Sequence, residues 1–173
     1  YGTNSKITLN PFSKKLCGKN RPGHFRGVVD VIDRFIKIIK PKEIFMGEKD
    51  FQQLKIVEDF VKRKYKNINI VNCKTVREKN GVAMSSRNVL LSAKEKKASG
   101  IIYNFIKKNK LKILNNFFII NLTKKNILKL GATKIDYVQI IDINKIIKPH
   151  IKRKKMRVFI AYYLNRVRLI DNI

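Results

Sequence analysis

The sequence predicts an α/β protein with a parallel sheet, followed by a smaller α+β part with an antiparallel sheet. Apolar residues at steps of three and four, from Phe25 to Ile39, predict a helix that Pro41 ends. The short apolar run EIFMG, a glycine turn, a second helical pattern and the run INIVN at Ile68 to Asn72 follow. This alternation of helix and strand favours crossover connections between parallel strands.

The pattern changes after Cys73, where the polar stretch KTVREKNGVAMSSRNVLLS predicts a loop and a domain boundary near Thr75. We therefore divide the chain into residues 1–75 and residues 76–173. Ser92 and Glu95 form the signature of a capping box, which predicts that a helix begins here. Helical sequence continues to Gly131, and three strand-like runs follow: KIDYVQIID, RVFIAYYL and RVRLIDN. The last two meet at a predicted tight turn around Asn165.

The formal charge of +28 at pH 7 is compatible with a polyanionic partner such as RNA, DNA or an anionic membrane. A compositional cause competes with that interpretation, because Lys, Ile and Asn make up roughly two-fifths of the residues. All three have AT-rich codons, and the lysines are dispersed along the chain instead of clustered in a stripe. We favour compositional drift, and we do not expect a nucleic-acid partner.

The two cysteines stand far apart in the sequence and predict neither a zinc site nor a disulfide framework. A reducing, cytoplasmic setting is the expectation that follows. The sequence contains no apolar run near the ~20 residues that span a bilayer and no signal-peptide pattern at its start. The first residue is Tyr1, and we expect the chain to be a piece of a longer protein.

The stretch GEKDFQQ lies where a predicted strand passes through a glycine turn into a helix, which is where parallel sheets bind ligands. Gly47 would let a phosphate approach the backbone, and the helix start offers N–H groups to it. Lys49 adds a positive charge, Asp50 is either a ribose ligand or a helix N-cap, and Gln53 presents an amide one turn later. A capped helix with surface Lys and Gln side chains is the structural alternative.

Two further stretches combine phosphate-binding groups. AMSSRN, from Ala83 to Asn88, places two hydroxyls and a guanidinium in a predicted flexible loop. Arg21 and His24 flank a Pro-Gly turn that leads into the first long helix, although a structural role for this histidine is the alternative. We interpret His150 as a surface residue, and KRKK at 152–155 as a solvated hairpin loop.

Four of these stretches, RPGHFRGV, GEKDFQQL, VREKNGVAMSSRN and RLIDN, occur in the order and approximate spacing of the pantothenate synthetase family, which this chain resembles from about Arg21 to Asn172. The resemblance implies ATP-dependent condensation of pantoate with β-alanine through a pantoyl adenylate. It implies the C-terminal part of a Rossmann-like nucleotidyltransferase domain followed by a small α+β lid. It also implies Mg²⁺ and a cytoplasmic homodimer.

The resemblance also assigns residues. Gly47, Glu48, Lys49 and Asp50 would hold the ribose and phosphates of ATP, and Val76 would contact adenine through its backbone. The segment Met84 to Arg87 corresponds to a phosphate loop. Gln53 would bind pantoate, with Arg21 and His24 lining the same cavity. The groups expected to screen the reacting anions are Lys49, Ser85, Ser86 and Arg87.

The chain departs from the family in one respect: the HxGH signature, with its proposed catalytic histidine, has no counterpart in this sequence. A second pantoate-binding glutamine is absent as well. We therefore expect the chain alone to form no adenylate. The alternatives are a basic RNA-binding or ribosome-associated module and an inactive nucleotide-binding remnant.

Overall fold

The computed structural model describes residues 7–116, 118–148, 150 and 154–173. The chain divides into two compact units, Tyr1–Lys74 with Ile146–His150 and Thr75–Lys145 with Ile151–Ile173. The division predicted from the sequence places Ile146–His150 in the second part, whereas in the structure this segment belongs to the first unit. One of its contacts there is a hydrogen bond of 2.8 Å from Asn10 Nδ2 to the Ile146 carbonyl.

In its described residues, the first unit is built from three α-helices and a parallel sheet, which confirms the predicted alternation of helix and strand. Its elements are α1 (Cys17–Asn20), α2 (His24–Ile39), β1 (Glu43–Gly47), α3 (Phe51–Lys64) and β2 (Asn69–Cys73). Strands β1 and β2 pair in parallel, with Glu43 opposite Asn69. β2 begins one residue later than the predicted run, because the N–H of Ile68 donates to the Tyr65 carbonyl in the preceding turn.

Helix α2 ends as the sequence predicts, but its apolar face is only partly buried. Lys40, just before Pro41, adopts a left-handed conformation with φ 49°, and its N–H donates to the Ile36 carbonyl. The helix packs against α3, which buries Phe25, Val29 and Ile36. The other side of the apolar pattern stays open to solvent, since Phe35 is 53% exposed.

The described part of the second unit contains two α-helices and an antiparallel sheet, as predicted. Its elements are α4 (Ala93–Asn115), α5 (Ile119–Lys129), β3 (Lys134–Asp142), β4 (Met156–Leu164) and β5 (Val167–Asn172). The strand order is β3, β4, β5. The hairpin between β4 and β5 turns at Asn165, which has a φ of 48°.

The predicted capping box at the start of α4 is present. Ser92 Oγ accepts a hydrogen bond from the Glu95 N–H, and Glu95 Oε2 accepts one from the Ser92 N–H. The core of this unit lies between α4, α5 and the sheet, and its most deeply buried members include Ile102, Ile106, Ile113, Ile127, Val158 and Ile160. No helix in the described part of the chain combines the length and apolar character needed to cross a membrane.

Residues 7–20 contain two short helices, for which the sequence analysis made no prediction. A 3-10 helix at Pro11–Lys14 precedes α1, and it buries Phe12. Leu16 is also buried. Of the KRKK stretch, residues 152 and 153 lie outside the described residues, whereas Lys154 and Lys155 are exposed, as is His150.

Candidate functional site

The Pro-Gly turn before α2 has the geometry of a type II turn. Gly23 has φ 78° and ψ −18°, a backbone conformation that favours glycine, and the N–H of His24 donates to the Arg21 carbonyl over 3.2 Å. His24 is the first residue of α2, and its ring lies 5.0 Å from that of Phe25. The turn therefore carries an exposed Arg21 and a half-buried His24 to the start of the helix.

The carboxyl end of β1 passes directly into the start of α3. Gly47 ends the strand, a 3-10 turn of Glu48–Asp50 follows, and α3 begins at Phe51. The backbone of Gly47 is extended, so its φ does not require glycine, and a Cβ added there would meet no heavy atom within 4 Å. Glycine at this position therefore leaves open space beside the backbone, which a ligand can approach closely.

Two oppositely charged residues follow Gly47 closely in the chain. Lys49 Nζ lies 3.9 Å from Asp50 Oδ2, and the side chains are 20% and 50% exposed. Asp50 occupies the N-cap position of α3, but its side chain makes no capping hydrogen bond. Asp50 therefore holds the N-cap position that one alternative assigned to it, but without the side-chain hydrogen bond of a cap. Its carboxylate is half-exposed beside the helix start, where backbone N–H groups favour an anion.

The two successive glutamines of α3 have different surroundings. Gln53, the residue predicted to bind pantoate, is half-buried. Gln52 is 6% exposed and makes three hydrogen bonds to the segment before α2. The structural role of Gln52 was not predicted from the sequence. Its position four residues before Ile56 places it on the buried side of α3, which is the signal that could have indicated this role.

In the second unit, the polar stretch that predicts a loop forms a hairpin between Val76 and Met84. The N–H of Met84 donates to the Val76 carbonyl over 3.0 Å, and Arg77 pairs with Ala83 as an isolated antiparallel bridge. Val76 is 66% exposed. These hydrogen bonds close the predicted loop onto itself.

A 3-10 helix, Ser86–Leu90, follows the hairpin and carries the predicted phosphate-binding groups. Ser85 is its N-cap, and the Ser85 hydroxyl accepts a hydrogen bond from the Arg87 N–H. Ser86 and Arg87 are exposed. A cleft of about 520 Å³ opens beside this segment, and its lining residues are Glu78, Met84, Ser85, Ser86, Asn88, Val89 and Lys96. The cleft therefore brings both serines and Met84 together.

Asn88 fastens the 3-10 helix to the hairpin. This buried side chain donates to Glu78 Oε1 over 2.5 Å and to the Ala83 carbonyl over 3.1 Å. Arg77, on the hairpin, makes a bidentate ion pair with Asp171 of β5. Burial lowers the pKa of Arg77, but the hydrogen bond and charge of Asp171 outweigh it, so that the pKa is raised. The sequence analysis singled out neither of these contacts.

The predicted residues are thus divided between two units. Arg21, His24, Gln53 and the segment 47–50 belong to the first unit, whereas Val76 and the segment 84–87 belong to the second. Among the described residues, no group of three or more His, Cys, Asp or Glu side chains could hold a metal ion. Cys17 is buried, Cys73 is exposed, and the two form no disulfide.

Comparison with known proteins gives a consistent result. The family model described as pantoate-beta-alanine ligase matches residues 1–173. A pantothenate synthetase of Sulfurihydrogenibium sp. is 38% identical, over 99% of this chain and 63% of the relative. One from Azobacteroides pseudotrichonymphae is 42% identical, over 90% of this chain and 57% of the relative. The chain therefore spans about three-fifths of the length of the curated relatives it matches.

Solved structures give the same result for the fold. Pantothenate synthetase from Thermus thermophilus has a TM-score of 0.81 at 27% identity, covering 98% of this chain and 64% of that chain. Pantoate-beta-alanine ligase from Francisella tularensis, complexed with beta-gamma ATP and beta-alanine, has a TM-score of 0.76 at 29% identity, over 98% of this chain and 59% of that chain. The α/β architecture predicted from sequence is confirmed.

Proposed function

Because this chain belongs to the pantoate-beta-alanine ligase family, we propose that it contributes nucleotide-binding and substrate-binding parts of an enzyme that condenses pantoate with β-alanine using ATP. The family match and the likeness to an ATP-complexed ligase support this proposal. The chain spans about three-fifths of its relatives, so the activity of the whole enzyme is part of the proposal.

The proposed chemistry has two steps. The pantoate carboxylate attacks the α-phosphorus of ATP, which forms pantoyl adenylate and releases pyrophosphate. The amine of β-alanine then attacks the acyl carbon, and AMP leaves as pantothenate forms. An anion has to attack an anionic phosphate in the first step, so fixed positive charges and hydrogen-bond donors must screen both partners.

The first unit supplies one set of such groups. Gly47 leaves space for the phosphates beside the start of α3, and Lys49 provides a positive charge there. The half-exposed carboxylate of Asp50, which makes no capping bond, can accept hydrogen bonds from ribose hydroxyls. Glu48 belongs to the same 3-10 turn. Gln53 binds pantoate, and Arg21 and His24 contact the phosphates or the substrate carboxylate.

The second unit supplies the other set. Ser85, Ser86 and Arg87 donate to phosphate oxygens, and Met84 borders the same cleft. Val76 binds adenine through its backbone, although its carbonyl already accepts from Met84. Mg²⁺ enters with ATP as part of the substrate, because it is commonly held through phosphate oxygens and one or two carboxylates rather than by a full protein cage. We propose further that the enzyme is a cytoplasmic homodimer without a nucleic-acid partner.

The observation that carries the proposal is the passage from β1 into α3, with open space at Gly47, Lys49 beside it and an uncapped helix start. Calorimetric titration of the purified chain with MgATP tests it. Lys49→Met removes a charge-assisted contact worth about 1.5–3 kcal/mol, so we expect the Kd for ATP to rise roughly tenfold or more.

Lys66→Met is the matched control, because Lys66 is an exposed lysine of the same unit in the turn before β2. It removes the same charge and should change the Kd less than twofold. Equal weakening by both substitutions would support the competing idea of a diffuse polyanion-binding surface. That idea also predicts that the chain binds a mixed-sequence RNA with a steep salt dependence. RNA binding should therefore be measured for both variants.

A further inference from the structure

The side chain of Arg77 ties the hairpin to β5; this hairpin precedes the segment Ser85–Arg87, which we call the phosphate segment. Its Nη1 donates to Asp171 Oδ2 over 2.6 Å, and its Nη2 donates to Asp171 Oδ1 over 3.0 Å. Nη1 also donates to the Gly81 carbonyl over 3.0 Å, at the tip of the hairpin. The guanidinium lies 4.5 Å from the ring centroid of Tyr103 on α4. One cation thus connects the hairpin tip, a helix and the last strand.

The tip of the hairpin leaves little room for another arrangement. Gly81 has φ 90°, and a Cβ added there would lie 2.2 Å from the Tyr103 ring. The N–H of Gly81 donates to the Glu78 carbonyl, and the N–H of Glu78 donates to the Val82 carbonyl, each over 2.8 Å. Val82 and Ala83 are buried. These contacts hold the hairpin against the rest of the unit, and Arg77 adds three hydrogen bonds to them.

The phosphate segment is held at both ends by that hairpin. On one side, the N–H of Met84 donates to the Val76 carbonyl. On the other side, Asn88 donates to Glu78 and to the Ala83 carbonyl. Between these two fixed points lie Ser85, Ser86 and Arg87, of which the last two are exposed. The 3-10 helix that carries Ser86 and Arg87 also packs against β5, the strand to which Arg77 ties the hairpin.

We propose that Asp171 is a positioning residue for phosphate binding: through Arg77 it fixes the hairpin, and through the hairpin it sets the place of Ser85, Ser86 and Arg87. This inference rests on the proposed function in one respect, namely that these three residues bind phosphate. Asp171 itself is well suited to fixing the hairpin, since it lies on β5 opposite Ile160 of the central strand β4. Its Oδ1 also accepts a hydrogen bond from the N–H of Asn172.

Electrostatics alone predicts the opposite change in anion affinity when the Asp171 carboxylate is removed. Removing a carboxylate near an anion-binding segment should strengthen anion binding through the lost negative charge. A positioning role predicts weaker binding instead. A matched control exists in the same sheet, where Asp136 of β3 accepts from Arg168 Nε of β5 over 2.7 Å. Asp136→Ala removes the same charge and a comparable ion pair that does not include the hairpin.

The test uses the full chain, with inorganic pyrophosphate as the probe in calorimetry and amide hydrogen exchange followed over residues 76–88. We expect Asp171→Ala to raise the Kd for pyrophosphate about tenfold and to speed exchange in the hairpin by a similar factor. For Asp136→Ala, both the Kd for pyrophosphate and the exchange rate in the hairpin should stay within twofold of the values for the unaltered chain. Asp171→Asn keeps the shape and one acceptor, and should give an intermediate loss. If Asp171→Ala fails to fold, Asp171→Asn carries the same comparison.

Tighter or unchanged pyrophosphate binding by Asp171→Ala would overturn the proposal, as would equal effects of Asp171→Ala and Asp136→Ala. The proposed function fails separately, if the unaltered chain does not bind pyrophosphate or if Arg87→Ala leaves its Kd unchanged. In that case hydrogen exchange still decides the positioning role. Exchange in the hairpin that is no faster in Asp171→Ala than in Asp136→Ala would overturn it without any ligand.

Discussion

Asp33 on α2 accepts a hydrogen bond from the hydroxyl of Tyr65, which follows the last turn of α3, over 2.6 Å. Lys64 donates to the same oxygen over 2.7 Å, and Lys37 Nζ lies 2.7 Å from the other oxygen. Burial of the Asp33 carboxyl raises its pKa, but these hydrogen bonds outweigh that effect and lower the pKa from 3.8 to about 2. Burial and the same contact raise the pKa of Tyr65 to about 12.

This cluster predicts a pH-dependent part of the stability of the first unit. Above pH ~5 the Asp33 carboxyl is ionised in both the folded and the unfolded chain, so its full contribution of about 2 kcal/mol is present. As the pH falls, the unfolded chain takes up the proton first, and the contribution is lost progressively toward pH ~2. Urea unfolding between pH 6 and pH 2 should show this loss, and Asp33→Asn should remove most of it.

The control for this prediction is Asp30→Asn on the same helix. Asp30 pairs with Arg34, whose side chain is 48% exposed. An exposed pair of this kind contributes about 0.5 kcal/mol or less. A stability loss from Asp30→Asn as large as that from Asp33→Asn, with the same pH profile, would contradict the assignment to the buried cluster.

The two adjacent glutamines of α3 should respond differently to substitution by alanine: we expect a loss of stability for Gln52 and almost none for Gln53. The Gln52 side chain accepts from the Cys17 N–H and donates to the carbonyls of Phe12 and Lys15. Gln52→Ala leaves these backbone groups without their partner, which costs about 1–3 kcal/mol for each buried group left unsatisfied. We expect residues 7–20 to become sensitive to limited proteolysis and the free energy of unfolding to fall.

Gln53→Ala should leave proteolysis and unfolding almost unchanged, because Gln53 is only half-buried. In the complete enzyme its proposed role in binding pantoate predicts a rise in the KM for pantoate. Both variants should be compared in one denaturation series. The reverse outcome, with Gln53→Ala the more destabilising, would contradict the contacts described for these two residues.

Local patterns were sufficient to predict most of the helices and strands. The capping box of Ser92 and Glu95 is a signal within four residues, and the helical spacing that predicts α2 lies within one segment. The turn at Asn165 likewise depends on neighbouring residues. Such elements are predictable because the interactions that start and end them are close in sequence.

Elements that depend on distant partners were not predictable in the same way. The order in residues 7–20 depends on Gln52, more than thirty residues along the chain from Cys17. The hairpin before the phosphate segment depends on the pair of Arg77 and Asp171, 94 residues apart. One sequence without an alignment carries no signal for either pairing, so a polar, glycine-containing stretch predicted only a loop.

The burial of α2 shows a third limit. Seven apolar residues at helical spacing predict a wide face, but only the side that contacts α3 is buried, and Phe35 and Ile39 are 53% and 64% exposed. Periodicity indicates which residues share a side of the helix. It does not indicate whether a neighbour covers that side.

The proposed function requires that the start of α3 and the segment Ser85 to Arg87 bind the nucleotide. The most direct measurement is titration of the ¹⁵N-labelled chain with MgATP, followed residue by residue through amide chemical shifts. We expect shifts at Gly47 to Phe51 and at Ser85 to Asn88, and none on the lysine-rich surfaces of α4 and α5. Shifts spread over the lysines of α4 and α5, with none in those two segments, would contradict it.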